Sequence, residues 1–162
     1  MSAMSPAMSP EMSPAISPAT SSRSLQVDVV SRFAEALFEQ FDGDAAGALV
    51  ADDFHAHPWA AYGLPDGPEG VRQFAAVLRT AFSNARRSTE DVVVQDDRVV
   101  MRYVFEADHT GPLMGIPPTG KRIRLPGIFI ARVDGGKVAE YWREEDLLGL
   151  MQQLGVPGGA AA

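Results

Sequence analysis

The sequence predicts an α+β protein in which helices lie on one face of a bent, mainly antiparallel sheet. Three observations predict it. Apolar residues recur at helical spacing through the first half of the chain, and the period changes to alternation after Arg87. Two turn signals, Asp96-Asp97 and Asp134-Gly135-Gly136, then divide the second half into strands.

The opening MSAMSPAMSPEMSPAISPATSS is a degenerate Ser-Pro-Ala repeat with Met or Ile, and prolines at 6, 10, 14 and 18 oppose a continuous helix. Residues 1–24 are expected to be a disordered tail, 25–157 one domain, and 158–162 a flexible end. Met4, Met8 and Met12 are each alternative starts. From Val30, the residues Phe33, Ala34, Leu37, Phe38 and Phe41 form one helical stripe that Gly43 stops. A short helix follows over 44–50. Phe54, Ala56 and Pro58 alternate with His55, His57 and Trp59, which predicts an extended segment. Asp66 and Glu69 have capping-box spacing and Pro68 suits a first turn, so a third helix follows with Val71, Phe74, Leu78, Ala81 and Phe82 inward.

Residues 91–95 and 98–109 read as a hairpin. In its longer strand Val99, Met101, Tyr103, Phe105, Ala107 and His109 share the inward face. The stretch 109–121, HTGPLMGIPPTGK, is a rim loop leading to strands over 121–133 and 137–143, and a last helix begins at Asp146 and stops at Gly155. Strand 121–133 is apolar on both faces, with Phe129 and Ala131 on one and Ile128 and Ile130 on the other. A second covering surface is needed, and a homodimer through the sheet supplies it.

A chain of 162 residues with net charge −7 and 46% apolar content fits one soluble domain and argues against nucleic acid or an anionic membrane as partner. The absence of cysteine removes thiolate chemistry and disulfides, and three histidines leave little for a metal. No stretch reaches the length of a membrane span, and the start lacks the pattern of a signal peptide, so a cytoplasmic location is expected. Gly115 to Lys121 imitates a phosphate loop. Arg122 replaces its Ser or Thr, Pro117 and Pro118 remove the N–H groups a phosphate needs, and a strand follows instead of a helix.

Several side chains are candidates for chemistry, each with a plainer role beside it. His109 can move a proton at the pocket rim or simply hold the following loop. Asp146 can polarise a substrate or cap the last helix. His57 and Trp59 share a face that lines a pocket if it points inward. Tyr141 and Arg143 lie opposite Glu140 and Trp142 and are placed inward, although an ion pair with Glu144, Glu145 or Asp146 would equally account for Arg143. Tyr103, Phe129 and Phe82 are expected to form walls.

His109-Thr-Gly with MGIPPTGK, then RVDGGKVAEYW, Asp146 and Gln153-Leu-Gly155 resemble the SnoaL-like polyketide cyclases, or ester cyclases, of the nuclear transport factor two-like superfamily. The resemblance spans about residues 25–157. It implies a cone-shaped α+β barrel with a deep apolar pocket, dimerisation through the sheet, and cofactor-free aldol closure of a polyketide ester. In those cyclases an aspartate on the last strand and a histidine on the strand before it move the proton, and the matching positions here hold Arg143 and Phe129. Arg143 is permanently protonated and can hold an enolate oxygen but cannot act as a base. The expected function is therefore a cofactor-independent cyclase or isomerase acting on a small apolar carbonyl compound, with His109, then His57, as proton carrier and Arg143 as oxyanion partner. A non-catalytic ligand-binding protein and an epoxide hydrolase are the alternatives.

Overall fold

The computed structural model describes residues 18–57 and 59–156, so the expectations for the tail before Pro18 and for residues 158–162 lie outside the described residues. Helix α1 (Pro18–Phe38) leads to α2 (Gly43–Ala48), strand β1 (Val50–His57), a short 3-10 turn (Trp59–Tyr62) and α3 (Gly67–Ala81). Strands β2 (Phe82–Gln95), β3 (Arg98–His109), β4 (Arg122–Asp134) and β5 (Lys137–Glu145) follow, and α4 (Leu147–Leu154) closes the chain. The sheet order is β1-β5-β4-β3-β2, with β1 parallel to β5 and the other pairs antiparallel. This is the expected α+β architecture, but the sheet is curved and open: β1 and β2 remain edges, so it does not close into a barrel.

The alternation read in β3 holds at every inward position. Val99, Met101, Tyr103, Phe105, Ala107 and His109 are all at most 4% exposed, against Phe33, Leu37, Phe54 and Val71 from the helices and β1. Several boundaries moved, each for a physical reason. Helix α1 starts at Pro18, inside the stretch expected to be tail, because a first helical position needs no N–H donor. Residues 20–25 are exposed, so apolar periodicity had nothing to mark there. Phe41 lies beyond the end of α1 with φ +52°, and Asp42 caps α2 through Oδ1 by accepting from the Asp44 and Ala45 N–H groups at 3.1 and 2.9 Å. Asp66 stands at the N-terminus of α3 without capping it, since its carboxylate is taken by His55 Nδ1 at 2.8 Å. Strand β2 begins at Phe82, not at 91, because FSNARRSTE is too polar to display a strand's apolar face.

The rim loop is pinned at both ends. His109 N–H donates to Lys121 O and Gly120 N–H to His109 O, both at 2.9 Å, while Thr110 and Gly111 N–H groups donate to Ala81 O at 3.0 Å. A Cβ at position 111 would sit 1.8 Å from the Thr80 carbonyl oxygen, so the loop reaches the end of α3 because a glycine is there. Gly111→Ala is expected to cost about 1–3 kcal/mol of stability by overpacking, read as a lower urea midpoint; an unchanged midpoint would mean that the loop is not held against α3.

Candidate active site

Antiparallel pairing sets Tyr103, Gly127 and Glu145 in one cross-strand row on the concave face, and Met101, Phe129 and Arg143 in the next. Gly127 stands mid-strand, where glycine weakens a sheet. A Cβ there would lie 2.7 Å from Tyr103 Oη and 2.9 Å from Glu145 Cγ, so the missing side chain is what lets Tyr103 cross to β5. Tyr103 Oη donates to Glu145 Oε1 at 2.6 Å, and Arg143 Nε lies 3.4 Å from Glu145 Oε2. The Arg143 and Glu145 side chains are only 15% and 10% exposed.

The Arg143 guanidinium also lies against two rings, with Cζ 4.9 Å from the Phe74 centroid and 5.5 Å from that of Phe38. Burial works against its charge, but Glu145 and Tyr141 outweigh burial and its pKa is raised. Burial, helped by Tyr141 and Glu145, pushes the Tyr103 phenol far above its ordinary range, which keeps it a hydrogen-bond donor.

Arg143 and Glu145, with Phe38 and Phe74, form one wall of a cavity of about 160 Å³. The rest of its lining is apolar apart from Tyr62, with Phe82, Phe105 and Leu125 inside and Leu147 and Leu150 of α4 closing one side. Glu145 and Arg143 are the charged groups among the described lining residues, and no cluster of three or more metal-ligating side chains occurs among the described residues.

Of the nine residues singled out from sequence, Arg143 and Phe82 line this cavity. His109 does not. It is fully buried, and its Nδ1 meets Thr119 Oγ1 at 3.0 Å and accepts the Thr119 N–H at 3.3 Å. An accepting Nδ1 assigns the proton of the neutral ring to Nε2, which has no partner among the described residues, so the ring holds the rim loop and has no free base to offer the cavity. His57 points to the opposite, convex face, stacked on Trp142 at 5.0 Å with Nε2 3.1 Å from Glu140 Oε1. That contact, followed by Arg132, holds the Glu140 carboxyl below its usual range. Asp146 caps α4, accepting the Gly149 N–H at 2.8 Å. Trp59 belongs to the 3-10 turn and packs on Phe54 and Phe74, at 5.8 and 4.9 Å. Tyr103, Phe129 and Tyr141 lie beneath the cavity wall as a buried aromatic layer instead of lining it.

The main omission is Glu145. The signal was present: positions 141, 143 and 145 share a face, but the strand was ended at 143 and Glu145 entered only as a possible ion-pair partner.

The SnoaL-like polyketide cyclase family model matches residues 28–154. The chain belongs to that family. It is 30% identical to the nogalonic acid methyl ester cyclase of Streptomyces nogalater over 59% of this chain and 72% of that protein. It is 29% identical to the aklanonic acid methyl ester cyclase DnrD of Streptomyces peucetius over 83% and 93%. The structure of TsrD from Streptomyces laurentii superposes with a TM-score of 0.75 at 27% identity, covering 83% of this chain and 98% of that one. Membership supports a cofactor-independent cyclase over the binding-only and epoxide hydrolase readings. No described helix is long and apolar enough to cross a membrane.

Asp146→Ala removes a cap, and is expected to lower the free energy of unfolding by about 1 kcal/mol while leaving kcat within about twofold of the parent. Loss of turnover in a folded D146A protein would return Asp146 to the chemistry.

Proposed function

We propose that the protein closes a ring by intramolecular aldol addition in an apolar polyketide-type ester, with Glu145 as the proton carrier and Arg143 as the oxyanion partner. The observation that supports this reading is one carboxylate and one guanidinium side by side on the wall of an otherwise apolar cavity. Relatives named as methyl ester cyclases support the choice of an ester.

Glu145 removes a proton from a carbon flanked by two carbonyl groups, and the enolate oxygen so formed lies against Arg143. That carbon attacks a second carbonyl of the same molecule, forming the carbon–carbon bond. The resulting alkoxide takes its proton back from Glu145. Nothing is oxidised, reduced or expelled, so no co-reactant enters. Tyr103 engages Oε1, and Oε2, whose nearest charged partner is Nε at 3.4 Å, keeps a lone pair for the proton. Arg143 is fixed by two rings and an ion pair before substrate arrives, as electrostatic stabilisation of a developing charge requires.

With aklanonic acid methyl ester as trial substrate, Glu145→Gln is expected to lower kcat by roughly 10²–10⁴-fold with an unchanged circular dichroism spectrum. Gly127→Ala, which forces Tyr103 and Glu145 apart, should lower kcat more than it raises KM. Undiminished turnover in E145Q would remove the assignment.

We also propose that a second copy covers the convex face. Val93, Val100, Ile130 and Trp142 form an outward cross-strand row beside Ile128, and Val93 and Ile128 are 54% and 43% exposed. Ile128→Lys is expected to shift the sedimentation coefficient from dimer to monomer; a parent protein that already sediments as a monomer would sink the idea.

A further inference from the structure

Strand β5 is shorter than the strand it pairs with. It ends at Glu145, opposite Gly127, so residues 122–126 of β4 pair with β3 on one side and with no strand on the other. A bare ladder edge needs hydrogen-bond partners from elsewhere. Helix α4 supplies them through one side chain. Gln153 accepts the Arg124 N–H on Oε1 at 2.8 Å and donates from Nε2 to Arg124 O at 2.9 Å. A residue facing Arg124 in an antiparallel ladder would exchange the same two bonds, so the primary amide stands in for a peptide unit that β5 does not reach to provide.

The helix is hung along that edge from both ends. At its start the Asp146 N–H donates to Pro126 O at 3.2 Å, and at its finish Lys121 Nζ donates to Gln153 O at 3.0 Å. Gln153 Nε2 also donates to Gly149 O at 3.1 Å, which fixes the amide against its own helix. The consequence reaches the cavity directly. Asp146, the cap of α4, follows Glu145 in the chain, and Leu147 and Leu150 line the same cavity as Glu145 and Arg143. Leu150 and Leu154 are 3% and 5% exposed, whereas Leu148 on the outer side is 60% exposed.

We infer that Gln153 is a positioning residue for ring closure: its amide latches α4 against β4, and the latched helix keeps water from the enolate formed beside Glu145. This assignment rests on the cyclase reading of the cavity. The enolate carbon has two fates. It attacks the second carbonyl and closes the ring, or it takes a proton from water, and the hydroxide so formed is neutralised by the proton held on Glu145. The second fate returns the starting ester, so a seal over the carboxylate favours closure by removing the competing proton donor. Gln153→Leu removes both bonds to Arg124 and leaves that N–H and C=O to solvent, which frees α4 to open from its C-terminal end about Asp146.

The test makes two measurements on the full chain. Amide hydrogen exchange over residues 147–154 reads the latch. Turnover of aklanonic acid methyl ester in D2O reads the seal, as deuterium gained by recovered ester per ring closed, with the uncatalysed uptake subtracted. In Q153L, exchange over 147–154 is expected to quicken roughly tenfold and the deuterium ratio to rise about tenfold. Q153E keeps the bond from the Arg124 N–H and loses the one to its C=O, so it should fall between Q153L and the parent in both. Asp42→Ala, which uncaps α2, serves as a destabilised control and should move neither. Unchanged exchange in both Gln153 variants would overturn the latch, and faster exchange with an unchanged ratio would overturn the seal. A D42A ratio equal to that of Q153L would reduce the effect to lost stability and overturn the assignment. A parent that closes no ring would overturn it together with the cyclase reading, whereas the preceding outcomes in a parent that does close the ring leave that reading standing.

Discussion

Everything at the centre of this molecule follows from the cost of keeping a carboxylate in an apolar wall. Glu145 is 10% exposed, and a charge so removed from water is tolerated only when it is paired and hydrogen-bonded. Its neighbours meet that demand from two strands: Arg143 from its own strand and Tyr103 from β3, two strands away. Tyr103 can span that distance because Gly127, on the intervening strand, contributes no side chain. Arg143 in turn needs compensation, and the Phe38 and Phe74 rings give it polarisable faces instead of further anions. The pairing of β3, β4 and β5 is thus the register of the site as much as of the sheet.

How much of this could be read from the chain depended on what each signal measures. Alternation reports which side of a strand a residue faces, so every inward member of β3 was identified and all proved buried. It does not report depth or hydrogen bonding. His109 was correctly placed inward, yet Thr119 closes on its Nδ1 from a loop ten residues later, and no local pattern could announce that. The extended start of β2 was invisible because FSNARRSTE lacks an apolar face to count. Glu145 was lost to a boundary two residues short: continuing β5 from 143 to 145 moves an acid from the helix approach onto the cavity wall. His57 failed for a further reason, since the turn after β1 carries Trp59 into the core and leaves His57 on the far side of the sheet.

The resemblance to the cyclases placed an acid/base aspartate where Arg143 stands and a histidine where Phe129 stands, and those two positions are cross-strand partners. With neither able to move a proton, the carboxylate at 145 is the next inward position along the same strand, about 7 Å further on at ~3.4 Å per residue. A displacement of two residues preserves the face, as one residue would not, so an acid can be relocated along β5 without leaving the cavity. In the proposed reaction the guanidinium at the family's aspartate position changes from an obstacle to an asset, because an enolate formed beside Glu145 would lie within reach of a fixed positive charge. In the proposed reaction Phe129 needs no catalytic replacement: a single carboxylate that took a proton from carbon and returned it to the alkoxide would complete the cycle, and the phenyl ring, at 1% exposure, serves by packing the layer under Arg143.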